Sequence, residues 1–324
     1  MNQALFLRDN VSFQDEHPAA GDSRDELLAG LRAEPKTIDP KYFYDALGSR
    51  LFARITRLPE YYPTRTEVGI LHRHRQQIAA HCGVSCVFIE PGSGNCEKVR
   101  LLLDAVRPSL YVPVDISSEF LRAAALQLGG EYPWLAIAAV CADFNASWDF
   151  TRRLPLGKRV VFYPGSTIGN LEPADAVRFL ARVKEVVGAG GGALIGVDLH
   201  KDSACLTAAY NDAQGVTARF NLNVLLRLNR ILEADFEPAQ FRHRAFYNTD
   251  RQRIEMHLVS QCEQSVGCNG SRLRLRQGES IHTENSYKYT VQGFAALAAA
   301  AGLALERSWL DDEALFSVHY LRAT

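Results

Sequence analysis

The stretch Val84–Asp115, VSCVFIEPGSGNCEKVRLLLDAVRPSLYVPVD, decides the fold. An apolar run over 84–90 ends in Glu90, a tight turn follows with Gly92 and Gly94, and a helix is predicted over 95–106. A second apolar run, Leu110 to Val114, ends on Asp115. Such a turn lets backbone N–H groups at a helix N-terminus approach a nucleotide-like ligand closely. Asp115 stands about twenty residues past the last glycine and returns to the same sheet edge, where a carboxylate can accept both hydroxyls of a ribose.

Outward from this unit, the pattern alternates. Strands are predicted at 84–90, 109–114, 135–141, 159–164 and 192–198, and helices at 95–106, 117–128 and 173–187, the last opening at Pro173 and closing at Gly188. Repeated β-α units imply a parallel sheet with helices on both faces and all strand C-termini on one edge. Glu90, Asp115, Asp143, Gly165 and Asp198 follow strand ends and converge on that edge, where open α/β sheets bind ligands. After Asp198 the rhythm changes. Residues 203–213 and 216–232 read as helices, and 241–287 as antiparallel strands with a hairpin turn at Asn269-Gly270. A helix at 290–301 and strands near 303–309 and 315–321 complete the chain. The expected organisation is a flexible arm at 1–24, a substrate-binding domain from 25–63 plus 200–287, and a sheet domain from 64–199 plus 288–324. Pro59 and Pro63 break LPEYYPTRTE, which places Tyr61 and Tyr62 on a constrained loop.

Bulk properties exclude several classes. The 324 residues carry a formal net charge of −1, so there is no electrostatic case for nucleic acid or an anionic membrane surface. No apolar run is long enough to span a bilayer and residues 1–24 are too polar for a signal peptide, so a cytoplasmic location is expected. The seven cysteines are scattered without a Cys-x-x-Cys pair, which suggests neither a disulfide framework nor a zinc ribbon. His72, His74, His81 and Cys82 lie in EVGILHRHRQQIAAHC, which reads as an amphipathic helix, and no metal is expected. No obligatory protein partner is evident.

The Gly-rich turn separates two nucleotide-binding classes. A dehydrogenase usually shows Gly-x-Gly-x-x-Gly, but Glu97 or Lys98 stands where the third glycine belongs. Here the pattern is Glu90-x-Gly92-x-Gly94, with Asp115 ending the second strand and Asp143-Phe144 ending the third. It resembles class I S-adenosylmethionine-dependent methyltransferases, a Rossmann-like α/β fold. That resemblance implies that Asp143 bonds the adenine amino group and Phe144 packs on the ring. A doubly wound domain whose acids only cap strand ends is the other reading of the spacing.

Longer segments narrow the resemblance. They are YFYDALGSRLFARITRLPEYYPTRTE (42–67), PGSGNCEKVRLLLDA (91–105), YPGSTIGNL (163–171), YNDAQGVTARFNLNVL (210–225), RIEMHLVS (253–260) and TENSYKY (283–289). Together they resemble the histidine-specific Nα-methyltransferases of ergothioneine biosynthesis, from about residue 30 to the C-terminus. Two departures are visible: Pro91 stands where the family more often has Leu, and 264–280 is divergent. The resemblance implies a sheet domain with an inserted α+β substrate-binding domain. It also implies S-adenosyl-L-methionine as cofactor, and three methyl transfers onto the α-amino group of L-histidine to give hercynine.

Site residues follow from the same resemblance. Glu284 and Ser286 match imidazole-reading positions with Met256 packing beside the ring, and a carboxylate against imidazole discriminates histidine from apolar aromatics. A tyrosine of EYYP also touches the imidazole, Tyr61 being favoured over Tyr62. Asn170 and Tyr210 match residues that hold the substrate's carboxylate and amine. Tyr44 stands near the amine as a candidate proton relay, and Gly165 offers its carbonyl to the nitrogen. Lys98 matches a position at the cofactor's methionine carboxylate, beside Glu90, Gly92, Gly94 and Asp115. Taken singly, Met256 reads as core, Asn170 as a turn residue and Tyr210 as a half-buried anchor. The alternatives are a methyltransferase for another amino acid on this scaffold and a non-catalytic cofactor sensor.

Overall fold

The computed structural model describes residues 5–16, 20–145, 148–268 and 270–324. Strands β1 (Leu5–Arg8) and β2 (Val11–Asp15) precede α1 (Ala20–Arg32), β3 (Lys36–Thr37), α2 (Ala46–Ile55) and α3 (Tyr62–Cys82). Then come β4 (Val87–Pro91), α4 (Glu97–Val106), β5 (Leu110–Asp115), α5 (Ser118–Glu131), β6 (Ile137–Cys141), β7 (Arg159–Tyr163), α6 (Pro173–Val187) and β8 (Gly192–Asp198). Helices α7 (Ser203–Ala209) and α8 (Val216–Leu232) lead into β9 (Phe241–Asn248), β10 (Arg253–Ser260), β11 (Gln264–Cys268), β12 (Ser271–Leu275) and β13 (Ser280–Tyr287). The chain closes with α9 (Val291–Ala300), β14 (Leu303–Leu310) and β15 (Phe316–Ala323). Its contacts divide into two units. The first holds Met1–His17, Pro63–His200 and Lys288–Thr324, and the second Pro18–Tyr62 and Lys201–Tyr287.

The first unit is built on a nine-stranded sheet of order β1-β2-β6-β5-β4-β7-β8-β15-β14. Strands β2, β6, β5, β4, β7 and β8 run parallel, while β15 pairs antiparallel with β8 on one side and β14 on the other. The series climbs outward from β4 through β5 to β6, then crosses back to β7. The ends of β4 and β7 therefore flank the switch point where such sheets bind ligands. All seven residues of β8 are buried, as a central parallel strand requires. On one stripe of α3, Ile70, Leu71, Ile78 and Cys82 join Phe88, Phe162, Leu194 and Phe316 in the core. Asp198, expected to line the ligand edge, is instead buried against Lys288 at 2.8 Å, an ion pair that anchors the returning chain.

Several expectations are corrected. Part of the expected arm forms the β1–β2 hairpin, with β2 paired parallel to β6 through Val11↔Ile137 and Phe13↔Ala139. Val11 and Phe13 are buried while Ser12 and Gln14 alternate with them, a period-two signal too short to register in the sequence. The Asn10 side-chain amide holds this edge by donating to the carbonyls of Gly129, Tyr132 and Leu135 at 2.9–3.2 Å. The strand predicted from 84 begins at Val87, because Ser85 takes a left-handed φ of 59° and Val84 is exposed. Pro63 does not exclude a helix. It sits in the first turn of α3, where its missing N–H has no intrahelical partner to lose, so Tyr62 opens the helix and Tyr61 precedes it.

The second unit has a four-stranded sheet of order β3-β13-β10-β9 and a separate β11–β12 pair. The helix predicted over 203–213 stops at Ala209, because the Asp212 carboxylate accepts the N–H groups of Val216 and Thr217 at 2.8 Å each and starts α8. Asn221 of α8 stitches the sheet together. Its amide donates to the His257 carbonyl at 3.1 Å, and its oxygen accepts the Thr283 hydroxyl at 2.8 Å. Of the predicted hairpin turn, Asn269 lies outside the described residues, and Gly270 has the positive φ of 75° that such turns need.

Candidate functional site

In the first unit, the turn after β4 is built on the edge of β5. The N–H groups of Gly92 and Ser93 donate to the Val114 carbonyl at 2.8 and 3.1 Å. Gly92 and Gly94 have φ of 69° and 53°, conformations that glycine adopts without strain. One oxygen of Asp115 accepts the Gly94 N–H and the other the Ser117 N–H, both at 2.9 Å. A Cβ on Gly92 would meet the Phe144 ring at 3.6 Å, so the residue after Asp143 closes over the turn. Among the described residues, nothing lies within 4 Å of a Cβ built on Gly94.

Charge is concentrated behind this turn. Glu90 is 2% exposed, and burial pushes its carboxyl up to about 8, with Glu67 and Asp115 adding to the rise and the Tyr111 hydroxyl and Lys98 opposing it. The Tyr111 hydroxyl donates to Glu90. Burial also raises the Asp115 carboxyl, against the backbone N–H groups that bind its charged form. The folded chain keeps the Glu90 proton up to about pH 8, whereas an unfolded glutamate releases it near 4.5. Folding therefore takes up a proton in that window, and the Glu90 contribution to stability falls as pH rises through it. Glu90→Gln should raise the Tm of cofactor-free protein more at about pH 9 than at about pH 6. Equal shifts at both pH values, read by calorimetry, would remove Glu90 as the titrating group.

Lys98 reaches back to Glu67 of α3 at 2.6 Å, and both Glu67 oxygens accept the Gly165 N–H at 2.9 and 3.0 Å. Asn170 ends the 3-10 turn Thr167–Asn170 that follows and is half-buried. Glu67 was missed from sequence. The available signal is its place on the helix stripe with Ile70 and Leu71, where a lone carboxylate marks a buried partner.

The second unit gathers its candidates on the β10–β13 ladder. Met256 pairs opposite Glu284, and Met256 is 1% exposed while Glu284 is half-buried. The Tyr210 hydroxyl donates to Ser286 Oγ at 2.8 Å, and the Tyr61 ring stands edge-on to Tyr210 with centroids 6.2 Å apart. Tyr44 joins through Phe52 and Phe220, each 5.8 Å from its ring centre. These two phenylalanines were not singled out in the sequence, where they look like ordinary core positions. Tyr62 is buried and engaged elsewhere: Lys201 Nζ donates to its hydroxyl at 2.8 Å and lies over its ring.

Glu255, His257 and His282 also bring ligand atoms within 4.8 Å of one another. Glu255 is already held there by the Arg253 guanidinium at 2.8 Å and by Asn248 at 3.0 Å. Those contacts and the His257 ring hold its carboxyl down at about 2. The trio is thus a charge network with its anion already matched. In α3, His74 and His81 lie against Trp309 and Cys82 is buried in the core.

The residues of the first unit fit an adenosyl cofactor. A carboxylate offers about four lone-pair positions, and the two backbone N–H groups on Asp115 leave two for ribose hydroxyls. The sheet order, the Gly-rich turn and this carboxylate define a class I S-adenosylmethionine-dependent methyltransferase. The sequence model of the family described as "Histidine-specific methyltransferase, SAM-dependent" matches residues 23–323. The chain belongs to that family, and its cofactor is S-adenosylmethionine. It is similar to the histidine N-alpha-methyltransferase of Mycolicibacterium smegmatis, 44% identical over 90% of this chain and 92% of the relative. The Mycobacterium tuberculosis protein of the same name is 43% identical over 91% and 93%. Ergothioneine biosynthesis protein 1 of Neurospora crassa is 30% identical, covering 85% of this chain and 32% of its own length. Among the described residues, no helix is long and apolar enough to cross a membrane.

Proposed function

We propose that this chain transfers three methyl groups from S-adenosylmethionine to the α-amino group of L-histidine. The product is hercynine, and the step is the first of ergothioneine biosynthesis. The observation that carries the reading is the grouping of Tyr61, Tyr210 and Ser286 with the Met256–Glu284 pair in one unit. Glu284 accepts the imidazole N–H, Ser286 meets the other ring nitrogen, and Met256 packs against the ring. The engagement of Tyr62 by Lys201 supports Tyr61 as the tyrosine that touches the imidazole. Asn170 and Tyr210 are the candidates for the substrate's carboxylate and amine.

When bound, S-adenosylmethionine supplies an activated methyl group, so no metal or covalent nucleophile is called for. The protein's task is to present a neutral amine in line, which is a matter of positioning. Only a neutral amine has the lone pair that attacks the methyl group, so each of the three transfers begins with the loss of one ammonium proton. Tyr44 is the candidate relay for those protons, and the Gly165 carbonyl orients an N–H of the amine in the first two transfers. Glu90, Gly92, Gly94, Lys98, Asp115, Asp143 and Phe144 hold the cofactor. The proposed setting is the cytoplasm, with a small-molecule substrate and no nucleic acid, membrane or obligatory protein partner.

The test is incubation of purified protein with S-adenosylmethionine and each standard amino acid separately, with products read by mass spectrometry. A trimethylated product with histidine alone is expected. Methylation of a different amino acid would retain the chemistry and overturn the pocket assignment. Cofactor binding without any transfer would point to a sensor.

A further inference from the structure

Glu67 is the one acid on the buried stripe of α3 that carries Ile70, Leu71 and Ile78, and it is 0% exposed. Its carboxylate meets Lys98 Nζ at 2.6 Å and the Gly165 N–H at 2.9 and 3.0 Å. Gly196 in β8 makes room for it, since a Cβ there would lie 2.0 Å from a Glu67 oxygen. A Cβ on Gly165 would stand 3.1 Å from the Lys98 ammonium. Helix α3, the start of α4 and the end of β7 thus close on one carboxylate at the switch point of the sheet. Burying such a pair is costly and a poor route to stability alone, so its geometry calls for another use.

We infer that Glu67 is a positioning residue, which presets the Lys98 ammonium and the Gly165 turn for the cofactor and the substrate amine. The inference rests on the roles proposed above for Lys98 and Gly165. An ammonium has three N–H donors, and the one spent on Glu67 leaves two for an anionic group. A free lysine loses rotamer freedom when it binds, and here that freedom is already lost in the unliganded chain. The Gly165 turn is pinned on both sides. The Pro164 carbonyl accepts the Thr167 hydroxyl at 2.9 Å, and Ser166 Oγ accepts the Asp198 N–H at 2.9 Å. With the Gly165 N–H held by Glu67 as well, the direction of the Gly165 carbonyl is fixed.

The experiment is calorimetric titration of S-adenosylhomocysteine into wild type, Glu67→Gln, Lys98→Met and the double variant, with folding checked by circular dichroism. Glu67→Gln should raise the Kd about tenfold, and the same change made in the Lys98→Met background should cost less than about twofold. Glu67→Asp keeps the charge and withdraws the carboxylate by one methylene. It should also raise the Kd, and it carries the test if Glu67→Gln does not fold. If Lys98→Met binds like wild type, the cofactor role of Lys98 fails and this inference with it. If Lys98→Met weakens binding while Glu67→Asp and any folded Glu67→Gln lower only Tm, Glu67 is merely structural and the inference alone is overturned. Additive effects in the double variant overturn it as well, because they would mean that Glu67 does not act through Lys98.

Discussion

Glu284→Ala is expected to raise the KM for histidine about 100-fold while leaving S-adenosylhomocysteine affinity within about twofold. Hydrogen bonds to a charged group contribute about 1.5–3 kcal/mol, and removing the carboxylate leaves an imidazole N–H desolvated without an acceptor. Glu284 stands on β13 opposite Met256 on β10, in the second unit, whereas the Gly92–Gly94 turn and Asp115 stand in the first. The two measurements should therefore separate. Steady-state kinetics with a mass-spectrometric readout gives the KM, and calorimetry gives the cofactor-product affinity. Equal losses in both would mean that Glu284 supports the fold and does not read the substrate.

Asp115→Ala is expected to weaken S-adenosylhomocysteine binding about 1,000-fold. Two charge-assisted bonds to ribose hydroxyls are lost, and the Gly94 and Ser117 N–H groups lose their shared acceptor as well. Tm should fall too, because the same carboxylate organises the turn. Asp115→Asn separates the two effects. It retains one acceptor oxygen for the backbone but has no charge, so it should recover much of the Tm and little of the affinity. An Asp115→Ala protein that binds the ligand like wild type would dismiss the ribose assignment.

The candidate residues were not equally legible. Gly92, Gly94 and Asp115 stand out because a β-α-β unit has local punctuation: an apolar run, glycines with positive φ, and an acid at the next strand end. Pro173 and Gly188 likewise bound α6, as first-turn proline and terminal glycine do. Tyr61 and Tyr62 are adjacent and chemically identical in the sequence. Only the packing distinguishes them, with Tyr61 turned to Tyr210 and Tyr62 bonded to Lys201. Helix periodicity marks Glu67 as a lone carboxylate on a buried stripe, but its partners lie 31 and 98 positions away, where no spacing rule identifies them.

By itself, the sequence determined the alternating β-α series, the helix and two strands that close the chain, the Gly-rich turn and the family. All of these rest on residues close together in the chain or on long matching segments. Tertiary structure alone decided that the β1–β2 hairpin extends the sheet beside β6, where α3 begins, and that Asp198 is spent on Lys288. It alone gathered Glu67, Lys98 and Gly165 on one carboxylate. The reason is physical: local patterns report φ/ψ preference and which face is apolar, whereas edge pairing and buried charge matching depend on which distant strand ends the fold brings within hydrogen-bond reach.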